Sequence, residues 1–199
     1  MQNKIRAWSS LLLSAIFFTS VLMEYIPTPQ DIIEFTFLAN FGIGVLLLLT
    51  GIQLFRQKKA FADILYHIGL AMILLVFIIC LIGLSGIYQI HFEGEFFFLH
   101  VINPLLFLLY NVAFVRKTTS WNVLFLIPLP VVLYLFFDLI YGTIRGKFIY
   151  NLLETRKLTL IKIAAAFILC YAFTFLEGLF SLLLHRFLKD FRTSIMIFK

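Results

Sequence analysis

HFEGEFFFLHVINPLLFLLYNVAF, from His91 to Phe114, is long and apolar enough to cross a bilayer, yet it holds His100, Asn103 and Asn111. Wound as a helix, these three fall close to one line, with Glu93 on the same line a turn or two outside. Pro104 has no N–H, so the carbonyl it displaces in an α-helix is that of His100. A histidine beside a freed carbonyl within hydrocarbon costs free energy and marks a functional position. The expectation is that this segment carries the base of a buried site and that the other helices close around it.

The remainder of the chain fits that setting. Of 199 residues, 62% are hydrophobic and 13% charged, well away from a soluble domain. Apolar runs of about 20 residues recur, each able to span about 30 Å of hydrocarbon. The expected fold is an all-α integral membrane protein with six transmembrane helices in a single domain, 1–199, multi-pass in the cell membrane. The spans are placed at 7–26, 33–55, 61–90, 96–115, 121–141 and 160–183. Lys4 and Arg6 ahead of the first run resemble a signal peptide, but no small-x-small site precedes Glu24, so the run is read as a helix. Asp31 is the expected start cap of the second helix, and Pro128 with Pro130 predicts a kink in the fifth.

The net charge of +6 suits loops beside anionic headgroups. Basic residues near Lys4, Arg56–Lys59, Arg116–Lys117 and the C-terminal tail place both chain ends in the cytoplasm; the basic Arg145–Lys157 loop runs against this pattern. Those cations are not gathered in one stretch, which excludes a nucleic-acid surface. Cys80 and Cys170 lie in apolar runs and read as small buried hydrophobes. No CxxC or HExxH spacing occurs, so no metal is expected, and nothing suggests a nucleotide or flavin cofactor.

With alternating helices, the starts of spans two, four and six share a face with the ends of one, three and five. Thr36 and His100 are each about four residues inside their spans, some 5 to 8 Å below that face. Asn40 and Asn103 lie a turn deeper, and Asp138 reaches the same layer from span five. This set suits acyl chemistry on a membrane lipid. His100 accepts the proton of Thr36, whose oxygen attacks an ester carbonyl. Asn40 or Asn103 stabilises the oxyanion, and Asp138 orients the imidazole. Gly44 continues the Thr36–Asn40 face and permits close helix approach. Glu177 stands apart, on a polar line with Cys170, Thr174 and Ser181 in the other half of the membrane; it pairs with His67, meets lipid-facing water, or marks a proton or ion path. His67 itself is placed near the cytoplasmic headgroups, and the span-end Trp and Tyr residues read as interfacial anchors.

Three segments carry a resemblance: FTFLAN at Phe35–Asn40, LHVINPLLFLLYNVAF at Leu99–Phe114 and YGTIRGKFIYNLLE at Tyr141–Glu154. In order, spacing and span count the chain resembles the androgen-induced and androgen-dependent integral membrane proteins, hydrolases of fatty acid esters of hydroxy fatty acids. The likeness runs from about Ile32 to Glu154. It implies a catalytic threonine early in span two and a histidine shortly before the proline of span four, here Thr36 and His100. The chain departs from short bacterial relatives at Tyr110-Asn111, where they tend to be acidic, and at Phe148-Ile149-Tyr150, where they tend to carry Tyr-Pro-Tyr. Rival readings are an acyltransferase using the same pair, a small transporter built on Asn111, Glu177 and Ser181, and a non-catalytic membrane protein.

Overall fold

A computed structural model describes residues 2–83, 94–115, 121–149 and 160–197. Among the described residues, six helices are long and apolar enough to cross a membrane, and there is no strand. The protein is a multi-pass, all-α membrane protein. We number the helices α1 (Gln2–Tyr25), α2 (Phe35–Phe55), α3 (Asp63–Ile78), α4 (Gly94–Phe114), α5 (Leu129–Arg145) and α6 (Leu160–Ile197).

Where the helices begin or end elsewhere than the expected spans, the differences have local causes. Asp31 does not cap α2. It sits inside a short 3-10 turn, Pro29–Ile33, where its carbonyl accepts the Glu34 N–H at 2.9 Å and Glu34 takes the cap position. The two prolines of the fifth span open α5 rather than kink it, because a proline is tolerated in a first helical turn. The chain reaches them through a 3-10 turn, Trp121–Leu126, and the span runs Leu124–Arg145. The third span's expected end, to Ile90, lies partly outside the described residues, as do His91, Glu93, Arg116–Lys117 and most of the Arg145–Lys157 loop.

Neighbouring helices run antiparallel, and their side chains form layers. One polar layer lies toward the end of the bundle where α1 begins. There Arg6 donates Nε–H to the Tyr110 hydroxyl at 3.2 Å and lies over the faces of Tyr66 (5.2 Å) and Tyr110 (5.9 Å). Ser10 and Tyr110 share a hydrogen bond of 2.8 Å, and Thr50 and Tyr66 one of 2.6 Å. Tyr66 and Tyr110 are therefore buried counterparts of a cation and not headgroup anchors; exposed Trp8 fits the anchor role. The next layer is apolar: Phe17, Ile43, Leu47, Leu70, Ile73 and Phe107. Beyond it, toward the other face, lie Ser20, Asn40 and Asn103.

Close approach is set by small residues. A Cβ on Gly44 would stand 3.0 Å from the Phe18 ring, and Ser14 donates to the Gly44 carbonyl at 2.8 Å. At the end of α5, Gly146 adopts φ +72° and its N–H bonds the Gly142 carbonyl at 2.8 Å, an αL cap. The chain then folds back so that Phe148 seats on Gly142, where a Cβ would collide with the ring. Gly142→Ala should displace Phe148 and lower stability by about 1–3 kcal/mol. Thermal unfolding in detergent would read this loss; an unchanged midpoint would mean that the ring moves freely.

Candidate functional site

Thr36 stands on the second residue of α2, buried, and Asn40 one turn deeper is fully buried. Asn40 Nδ2 donates to the Thr36 carbonyl at 2.9 Å and to the Leu99 carbonyl at 3.4 Å. One amide thus ties the turn that bears Thr36 to the residue before His100.

The Leu99 carbonyl is available for a reason. Pro104 disturbs α4, and the response is a π turn over Phe98–Ile102, in which the Asn103 N–H bonds the Phe98 carbonyl. In an α-helix that N–H would have taken Leu99. The carbonyl that gains a side-chain donor is therefore Leu99's, where the unbroken α pattern pointed to His100's. The same turn breaks the expected polar line. Asn103 faces inward and is 0% exposed, donating Nδ2 hydrogens to Ser20 Oγ (2.9 Å) and Asn40 Oδ1 (2.8 Å). Asn111 is also buried and donates to the Phe107 carbonyl at 2.9 Å. His100 is only half-buried and stacks on Phe96, ring centroids 4.1 Å apart.

The His100 ring is held by its own helix. Nδ1 lies 2.9 Å from the Phe96 carbonyl, which can only accept, so Nδ1 carries the hydrogen. In the neutral ring Nε2 then presents its lone pair, and among the described residues it has no hydrogen-bond partner. Asp138 does not orient this ring. Its Oδ1 accepts the Ile149 N–H at 2.9 Å and so holds the segment after α5, while Tyr134 on the same helix donates to the Ile33 carbonyl at 3.2 Å. Thr36 and His100 are joined through Asn40 and not by a direct hydrogen bond.

The amides also differ from expectation. Both N–H groups of Asn40 and both of Asn103 are already committed. Neither is left to receive an oxyanion, so these residues position the site instead. The first turn of α2 has no side-chain cap, which leaves backbone N–H groups near Thr36 as the donors at hand. Ser20, the third member of the amide network, gave no signal in the sequence beyond being a polar residue in an apolar run. It also borders a lateral groove of about 320 Å³ between α1 and α4, lined by Leu12, Ile16, Ser20, Met23, Glu95 and Phe98. Among the described residues no three His, Cys, Asp or Glu side chains converge to hold a metal ion.

Glu34, just outside α2, accepts a hydrogen bond from Tyr25 at 3.0 Å. Burial holds its carboxyl above the ordinary 4.5, opposed by Tyr25 and reinforced by Asp31 and Glu24. A raised carboxyl favours the folded chain below the unfolded value, and that contribution is lost as pH rises through the folded one. Glu34→Gln should therefore gain on the wild type as detergent unfolding is moved from pH 4 upward. Parallel pH profiles would count against the assignment.

Glu177 is far from this site. His67 is buried against α6, and its Nδ1 lies 2.9 Å from Ser181 Oγ. The chain matches no protein-family model, no curated protein and no solved structure.

Proposed function

We propose that this protein is an intramembrane hydrolase of lipid esters, a fatty acid ester or related acyl lipid, resident in the cell membrane. The observation that carries the reading is the tautomer of His100: with Nδ1–H given to Phe96, Nε2 keeps its lone pair for a proton, and Asn40 ties the residue before His100 to the turn that bears Thr36. Catalytic hydrogen bonds are commonly long in a ligand-free enzyme and tighten in the Michaelis complex.

In the proposed reaction Nε2 takes the Thr36 proton as Oγ1 attacks the ester carbonyl. The oxyanion falls to backbone N–H groups of the uncapped first turn of α2. The imidazolium returns its proton to the leaving alkoxide, and an acyl-threonine forms. Water, deprotonated by Nε2, releases the fatty acid and restores the hydroxyl. The groove beside Ser20 suits an acyl chain arriving sideways from the bilayer. Purified protein supplied with an acyl-labelled ester lipid should release labelled free fatty acid. A new labelled ester in place of the acid would make the enzyme an acyltransferase. No product of either kind from folded protein would overturn the assignment.

A further inference from the structure

The half of the membrane away from Thr36 holds a second polar site. Glu177 on α6 is 7% exposed, and among the described residues neither carboxyl oxygen has a hydrogen-bond partner. An isolated carboxylate in an apolar interior costs far more than a neutral polar group. The residues on its face are Thr174, three positions back, and Ser181, one turn on; both are buried. Thr174 is turned to its own helix, donating to the Cys170 carbonyl at 2.7 Å. Ser181 is bonded to His67 of α3. The neighbouring Gly178 packs on Ile127 and Leu124 of the turn before α5. On α5 the ionisable residues lie further along: Tyr134 packs beside Cys170 and Phe173, and Asp138 is engaged with Ile149. His67 is thus the titratable group nearest along this chain of contacts. It stands four residues inside α3, roughly 6 Å below the surface, and Glu177 is seven residues from the end of its Leu160–Leu184 span, roughly 10 Å deep.

We propose that Glu177 is a proton-binding site, filled and emptied from the face that carries the two chain ends through His67 and Ser181. When water enters from that face a proton reaches the imidazole, which is itself fully buried; the Ser181 hydroxyl passes it on, and the carboxylate becomes a carboxylic acid. Release retraces the path, with no redox partner or metal. The site is independent of the ester chemistry assigned to Thr36 and His100.

Infrared spectra of the full-length protein in liposomes test this directly. The wild type should show a carboxylic-acid C=O band at neutral pH that Glu177→Gln lacks. Transfer into D2O should shift that band quickly. His67→Phe should slow the shift by about 10²-fold or more, the scale of a lost acid–base relay. Ser181→Ala, a smaller change, should slow it in the same direction if His67→Phe does not fold. Dicyclohexylcarbodiimide, which attacks protonated carboxyls in apolar surroundings, should modify Glu177 in the wild type, read by peptide mass. Identical bands in wild type and Glu177→Gln, or an unmodified Glu177, would overturn the site. Exchange as fast in the His67 and Ser181 variants as in the wild type would overturn the route.

Discussion

Thr36→Ala is expected to abolish covalent labelling of the purified protein by a fluorophosphonate probe, and His100→Ala to lower it by about 10²–10⁴-fold, the usual worth of a positioned general base. Thr36→Ser should keep labelling, since it retains the hydroxyl at the same place on α2. Neither alanine variant should unfold. His100 is half-buried and bonded to its own helix, so its removal leaves no interhelical partner stranded. Unfolding midpoints measured beside labelling separate chemistry from structure. Labelling that persists in Thr36→Ala would remove Thr36 as nucleophile, and labelling untouched in His100→Ala would remove the base.

Asn103→Leu should produce the largest loss of stability of any substitution in the site. Its amide donates to both Ser20 and Asn40 from a fully buried position. Replacing it leaves Asn40 Oδ1 without that donor in a dry environment, and each such group costs about 1–3 kcal/mol. Membrane helices soften the penalty, because interhelical bonds there average about 0.6 kcal/mol. A total of about 1–3 kcal/mol is expected, with activity falling in step as the tie between α2 and α4 loosens. Thr143→Val is the control, since that exposed hydroxyl bonds only back to Leu139 of its own helix. Equal effects of the two changes would mean that the amide network holds nothing together.

The six spans were legible because hydrocarbon thickness imposes a length that apolar runs display openly. That Asn40 and Asn103 share a layer followed from helical rise alone. What followed less well was direction. A proline removes one donor, but whether the helix answers with a kink or a π turn depends on what its neighbours offer. At Leu99 the offer is the Asn40 amide, contributed by a residue 59 positions away. The same non-locality concealed the commitment of both asparagine amides and the seat of the half-buried Arg6 over two tyrosines. Asp138 looked like the orienting group because acids often serve histidines, yet an N–H only 11 residues along the chain reached it.

The π turn of α4 also sets how this helix tolerates change in length. It packs one residue more into the segment than an α-helix would, and one α-helical residue turns the chain by about 100°. Losing a single residue other than His100 between Phe98 and Ile102 would let the helix rewind, swinging the part of the helix before the lost residue round the axis while Asn103 and Phe107 stayed put; a loss after His100 carries the ring with it. The imidazole would then face a different neighbour with its own chemistry intact. For this protein a one-residue deletion is a rotation of the His100 ring, the proposed base, and an alignment gap there would alter the proposed site more than many substitutions.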